Sequence, residues 1–459
     1  MTEVVALPKQ GVLLRLFSSK DLSTLFLPLV IEQFLEYSVG LASSIMVAHI
    51  GESAVSGVSL GDFVMALLIS VFNAIATGGA VIAGQFLGKK AEGEAKKSAS
   101  QLMKFSFVSG IAIMALVYAG HSLILHGLFG SISGKVYNDA SAYLAVVTAS
   151  IPFIAIYSAG AAIFRTMGNS RLPMRIMLAM NGLNIACSAL FIFGFGWGTA
   201  SAGLATLISR GGAAFIILAF ARNPSLPLTV RGWLRGRFDW SIVKMILGIG
   251  LPFGIENGMF YFGRIVVLSL VATFGTAAIA ANAVAGTIVM FEALPGMSIG
   301  LGLTVIISRC VGAGDYDQVR YYTKEVIRII YIAHVASSTI VLAALPAILG
   351  LYGLSAQATQ WVRELAWAHA VMMILIWPIG YTLPVTFRAA GDARFPMVVS
   401  MLSMILCRIV LSYVFGILLG MGMIGTWAAM FADWIVKAAI FAARYMSGRW
   451  TQFRAIKAS

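Results

Sequence analysis

Residues 27–39 read LPLVIEQFLEYSV and residues 251–263 read LPFGIENGMFYFG, and laying the first on the second decides the fold. At a shift of 224 positions, Leu27, Pro28, Ile31, Glu32 and Tyr37 fall on Leu251, Pro252, Ile255, Glu256 and Tyr261. Without a gap, Val47, Gly51, Ala54 and Gly88 continue onto Val271, Gly275, Ala278 and Gly312. At a shift of 223, FRTMGNSRLPM from Phe164 falls on FRAAGDARFPM from Phe387. Pro, Glu, Arg and Gly are not what an apolar composition repeats by chance, so the chain is an internal duplication.

Each copy reads as a membrane unit. Of the 459 residues 59% are hydrophobic and 11% charged, with a mean hydropathy of +0.91, whereas soluble domains run near a quarter charged. A spanning helix needs about 20 mostly apolar residues. Such runs fall at 25–50, 60–84, 105–125, 143–164, 174–195 and 202–220, and again at 246–272, 281–310, 329–349, 365–387, 395–419 and 424–443. The expectation is an all-α polytopic membrane protein of twelve transmembrane helices. Six spans per copy is an even number, so both copies insert the same way up. The two six-helix lobes are then related by a pseudo-two-fold axis along the membrane normal. The lobes are expected at 1–225 and 226–459, with a linker at 223–240 that carries Pro224, Pro227, Gly232 and Gly236.

Alternate joints hold nearly all the Lys and Arg: Lys89, Lys90, Lys96 and Lys97; Arg165, Arg171 and Arg175; Arg231, Arg235 and Arg237; Arg320 and Lys324; Arg388 and Arg394; then Arg444, Arg449, Arg454 and Lys457. The positive-inside rule places those joints and both termini in the cytoplasm, across a cell membrane. The net charge of +14 is spread through joints and not gathered into a stripe, which argues against nucleic acid. Residues 1–20, hydrophobic and basic, read as a surface helix without a cleavage signal. Cys187, Cys310 and Cys407 lie in or beside apolar runs, so neither a disulfide framework nor a zinc site is indicated. No GxxxxGK[ST], HExxH or CxxC is present, which disfavours nucleotide-driven pumping and an intramembrane enzyme. No metal or cofactor is expected beyond a transported ion.

The chain resembles the multidrug and toxic compound extrusion family. The resemblance rests on the LP-led first and seventh helices, on GQFLGKKAEGEAKK from Gly84 and SRCVGAGDYDQVR from Ser308, on the two FRxxGxxRxPM joints, and on GLNIACSALFIFGFGWGTASAGLAT from Gly182. It implies proton- or sodium-coupled export of lipophilic, often cationic compounds by rocking of two lobes. In one branch of that family the first and fifth helices carry aspartates where this chain has Ser43 and Ser188, with Asn184 kept nearby. In another a glutamate stands where this chain has Phe260, while here the acid is one turn earlier, at Glu256.

A charge at mid-bilayer costs about 2.5–3.5 kcal/mol on insertion scales, so intramembrane charges face cavities or partners. Here they are Glu32, Glu36, Asp62, Arg210, Glu256, Arg264, Glu292, Arg408, Asp433 and Lys437, with His369 titratable. Glu32 and Glu36 stand four apart, with Ser43 near the same face. Two close carboxylates in low dielectric resist ionising together, which suits loading and unloading of a proton. The bland alternative is that Glu32 and Glu256 bond backbone freed by Pro28 and Pro252.

Glu32, Glu36, Glu256, Asp62 and Glu292 are therefore the coupling candidates. Asp62 and Glu292 equally suit partnership with Arg210 or Arg408. Tyr37, Ser43, Asn184, Ser188, Asn257, Phe260, Tyr261 and Arg264 are the substrate-binding candidates, the aromatics by offering ring faces to a cation. Trp377 is a further aromatic candidate. Arg264 suits a carboxylate across the cleft or an anionic group of the substrate. Asp433 and Lys437, four apart, read as a mutually satisfied pair. Arg165 and Arg388, at span ends, read as headgroup anchors or carbonyl caps.

Together these features predict a monomeric secondary active exporter of small molecules that works by alternating access. A lipid-linked precursor flippase of the same superfamily is the near alternative and an intramembrane enzyme the far one.

Overall fold

The computed structural model describes residues 15–129, 134–453 and 455–456. The N lobe comprises α1 (Ser19–Ala48), α2 (Glu52–Gly88), α3 (Glu92–Ala119), α4 (His121–Phe129), α5 (Gly134–Thr148), α6 (Ile151–Thr166), α7 (Arg171–Ala189) and α8 (Ala200–Ala221). The C lobe comprises α9 (Trp240–Ala272), α10 (Thr276–Gly312), α11 (Tyr316–Tyr352), α12 (Ala356–Leu375), α13 (Trp377–Ala390), α14 (Arg394–Ser403), α15 (Leu411–Tyr413) and α16 (Gly422–Met446). Among the described residues there is no strand.

Among the described residues ten stretches are long and apolar enough to cross a membrane unaided, and two bent pairs, each taken as one span, bring the number to twelve. The pairs are α5 with α6, bent by 51°, and α12 with α13, bent by 46°. Each is the fourth span of its lobe. Pro152 and Pro378 open the second pieces, where a missing N–H is tolerated and φ is pre-set. The duplication therefore extends to the breaks. The fifth span of each lobe also loosens into π-helical turns, at Leu190–Gly194 and at Met404–Val410 and Val414–Leu418.

The surface helix expected over residues 1–20 falls largely outside the described residues. Residues 15–18 are not helical. Tyr322 on α11 donates its hydroxyl to the Phe17 carbonyl (2.8 Å) and receives the Phe17 N–H. Helix α1 instead starts at a reciprocal Ser18–Asp21 cap.

Helices α2 and α10, 37 residues each and hence about 55 Å long, cross at the pseudo-two-fold axis. Between helices in lipid, close backbone approach through small residues supplies the packing. A Cβ on Gly88 would run into the Arg309 carbonyl oxygen, and a Cβ on Gly312 into that of Gln85. Gly88 and Gly312 are mates in the repeat, as are Gln85 and Arg309, so the contact is isologous. The same side chains bridge the lobes: Gln85 Nε2 donates to the Ala389 carbonyl (2.8 Å) and an Arg309 NH2 to that of Thr166 (2.6 Å). The lobes are thus tied at the end that carries the basic joints.

Candidate functional site

The acids sort by what the fold puts beside them. Glu32, 1% exposed, accepts from Arg165 at 2.5 Å and from the Tyr157 hydroxyl at 3.3 Å. Its repeat mate Glu256 accepts from Arg388 at 2.9 Å and from the Ser400 hydroxyl at 2.8 Å. Each lobe therefore clamps its first span to its fourth through the same Glu–Arg pair. The reading of Arg165 and Arg388 as headgroup anchors is corrected: Arg388 is buried and both spend their charge inward. A buried acid strongly favours a cation over lipid contact, because leaving it unpaired costs several kcal/mol. The alternative for Glu32 and Glu256, bonding to backbone freed by proline, is not what these side chains do.

Glu292 on α10 is fully buried against His369 of α12, whose Nδ1 contacts Oε2. His334 of α11 turns its Nδ1 to the Glu292 carbonyl (3.1 Å), which the Ser337 hydroxyl also reaches. Trp427, Phe431 and Trp434 wall His369 in. The partner weighed for Glu292, Arg408 or Arg210, is thus replaced by a histidine. Asp433 accepts from Lys437 at 3.0 Å and from Ser403, in keeping with the expected mutual pair.

Asp62 and Glu36 differ from these four. Asp62 is exposed although it lies ten residues into α2. The Tyr143 hydroxyl of α5 donates to its Oδ1 at 2.5 Å. Gly61 makes the room, since a Cβ there would lie 2.5 Å from the tyrosine ring. Glu36 is half-buried and accepts from Gln33 Nε2 at 2.8 Å. Arg210 of α8 lies within Coulombic reach of both carboxylates and donates to the Ser150 hydroxyl at 2.9 Å.

Deeper in the N lobe, Ser43 donates to Asn184 Oδ1 (3.2 Å), whose amide reaches Thr206 (3.3 Å) and Ser209 (3.4 Å). Ser188 is buried on the same helix as Asn184. Where the family resemblance raised aspartates, this chain has a neutral hydroxyl and amide network.

The C-lobe wall is formed by α9. Phe260 lies under the Arg408 guanidinium, 5.6 Å from ring centroid to carbon. Tyr261 meets Phe63 of α2 edge to face at 6.4 Å. Tyr37 of α1 is within electrostatic reach of Tyr261 and Arg264. Asn257 is half-buried and Arg264 exposed. Trp377, weighed as a ring face for substrate, instead stacks on Tyr381 and packs on His334 inside the C lobe. The sequence candidates therefore split into three places: accessible acids and a neutral polar network in the N lobe, an aromatic and cationic face of the C lobe, and ion pairs apart from both. Tyr143, Arg165 and Arg388 were not singled out as partners of the acids. The signal for the two arginines was present, because Glu32 and Arg165 are both doubled, at shifts of 224 and 223. Among the described residues no group of three His, Cys, Asp or Glu is placed to hold a metal ion.

The MatE family model matches residues 28–190 and again 252–414. The chain is 29% identical over 440 residues to the uncharacterized transporter YisQ of Bacillus subtilis, covering 94% of this chain and 95% of that one. It is 24% identical to the probable multidrug resistance protein NorM of Thermotoga maritima, covering 94% and 93%. It is also 24% identical to the multidrug export protein MepA of Staphylococcus saprophyticus, covering 91% and 92%. Among solved structures, an outward-facing multidrug resistance MATE family transporter superposes with a TM-score of 0.86 at 19% identity, over 94% of this chain and 96% of that one. A MATE transporter in the straight conformation reaches 0.87 at 19% identity, over 94% and 97%.

Proposed function

The chain belongs to the MatE family, and from that premise we propose that it is a secondary active multidrug exporter driven by inward movement of protons or sodium ions. Its relatives' names carry multidrug resistance and export. The compounds it moves are lipophilic and bear positive charge, which the exposed N-lobe carboxylates attract. Each lobe supplies one wall of the cleft, so one chain suffices and the working unit is a monomer.

The single observation behind this reading is Asp62, an exposed carboxylate inside a spanning helix, bonded to Tyr143 and facing Arg210. An exposed carboxylate beside a hydroxyl and a guanidinium exchanges a proton or sodium ion without dismantling the lobe. Glu36 is its partner in that role. Glu32 and Glu256, committed to arginines, serve the lobes' rigidity. Glu292 contacts His369 but lies in a dry setting.

With the basic joints cytoplasmic, both termini are cytoplasmic and the tie at Gly88 and Gly312 closes the inner side. The cleft then opens outward, and rocking about the α2–α10 contact exchanges access. The test is flux of a fluorescent cation in inverted vesicles with a proton or a sodium gradient imposed separately. Asp62→Asn is expected to lower coupled flux by at least about tenfold, the equivalent of one charge-assisted bond, and Glu36→Gln by less. Flux equal to wild type in both variants under both gradients would sink the assignment.

A further inference from the structure

The following rests on the efflux function proposed above and names the class of compound moved. Once the ion pairs are counted, the two walls keep opposite charge. In the C lobe Arg388 takes Glu256 and Lys437 takes Asp433. Arg264 and Arg408 are left with no ion-pair partner among the described residues. The groups within electrostatic reach of Arg264 are Arg408, Tyr261 and Tyr37, none of them a carboxylate. A guanidinium does not escape by losing its proton, and two of them held together inside spanning helices repel. Such charges are retained where they meet a cavity or a ligand.

The fold builds this juxtaposition. Gly263 lets the second of the two helices approach, because a Cβ there would run into Met404 Sδ. Met404 opens the π-helical turn Met404–Val410, which contains Arg408. A π turn shifts side chains off the regular helical register and recurs at functional sites. Arg264 follows Phe260 by four residues and Tyr261 by three, so rings and guanidinium share one face of α9. Across from them Glu36 and Asp62 form the acidic side, with Arg210 within reach of both and Arg165, already paired to Glu32, within reach of Glu36.

We infer that Arg264 and Arg408 form an anion subsite, and that the preferred substrate is a zwitterionic aromatic amphiphile. Its carboxylate lies between the two guanidinium forks, its ring system rests on Phe260 and Tyr261, and its cationic nitrogen points to Glu36 and Asp62. A purely cationic compound meets an uncompensated positive wall and binds less well.

Rhodamine B, which carries a free carboxylate, and its ethyl ester, which does not, share one aromatic cation. Binding of each dye to the purified full chain in detergent is read by fluorescence polarisation, which requires no coupling ion. Wild type is expected to bind the acid about tenfold or more tighter than the ester, the worth of one or two charge-assisted bonds. Arg264→Gln and Arg408→Gln are each expected to bring that ratio towards one, while Arg264→Lys keeps part of it. A wild-type ratio at or below one, or a ratio unmoved by both glutamine variants with unaltered thermal unfolding, overturns the subsite. Gradient-driven flux of the ester alone reports on the efflux reading separately, so the two can fail independently.

Discussion

The N and C lobes hold the same Glu–Arg clamp and then part company. In each, a mid-span glutamate on the first helix is tied to an arginine on the fourth, and each fourth span is broken at a proline. Beyond that frame the N lobe keeps carboxylates exposed at Asp62 and half-exposed at Glu36, whereas the C lobe keeps arginines at 264 and 408 and buries Glu292 and Asp433 in pairs. Duplication supplied a scaffold. Among the positions that ceased to match are Glu36 on Phe260 and Gly40 on Arg264, which give the two lobes their opposite charge.

The clamps themselves are not equal. The Glu32 side chain is 1% exposed and that of Glu256 18% exposed, and each has a hydroxyl donor besides its arginine, Tyr157 at 3.3 Å and Ser400 at 2.8 Å. Arg165→Met leaves a dry carboxylate with no cation and only the longer Tyr157 bond, and is expected to cost about 3–5 kcal/mol. Arg388→Met leaves Glu256 the Ser400 hydroxyl and partial access to water, so its cost is smaller. Thermal unfolding of both variants in one detergent checks the order. Equal losses would mean that burial does not distinguish the lobes at this pair.

The twelve-span count, the parallel duplication and the basic joints were legible because hydropathy, charge and repeat are written along the chain. The partners of the acids were not. Arg165 stands 133 residues from Glu32, and nothing in local pattern says that its side chain turns inward from a span end. Glu292 could not be separated from Asp62 by sequence, since both are single acids in apolar helices. One is dry against His369 and the other open beside Tyr143, a difference made wholly by which helix packs where. Ser43 and Asn184 were found together because a resemblance placed them, not because spacing did.

At the axis the lobes should be interchangeable. The Gly88 and Gly312 contacts are related by the pseudo-two-fold axis, and a valine at either overpacks the inner closure by about 1–3 kcal/mol. Both variants are therefore expected to shift the equilibrium towards an open basic end by the same amount. Cys310, fully buried beside Arg309 in this closed arrangement, is the reporter. In a Cys187→Ser, Cys407→Ser background its labelling by a maleimide should rise by about tenfold or more in either variant. A rise in one alone would break the symmetry of the hinge.

The smallest contrast lies at the helix starts. Helix α1 begins at the Ser18 hydroxyl, but its counterpart α9 begins at Asp239, whose carboxylate accepts from the Ser241 (2.9 Å) and Ile242 (3.3 Å) N–H groups. Lys97 of α3 stands 2.6 Å away, so this cap also bridges the lobes beside their linker. The lysine ammonium, aided by the two backbone donors, holds the Asp239 carboxyl below its usual range. A depressed acid contributes stability above its unfolded-state value, near 4, and loses that contribution as pH falls through the lower folded value. Asn caps a helix as well as Asp, so Asp239→Asn removes only the attraction to Lys97. Because the pair is largely in water, the expected loss at neutral pH is at most about 1 kcal/mol and shrinks with added salt. At pH values below that lowered folded value the variant and wild type should unfold alike, and a difference that persisted there would show that the cap, not the ion pair, separates the two starts.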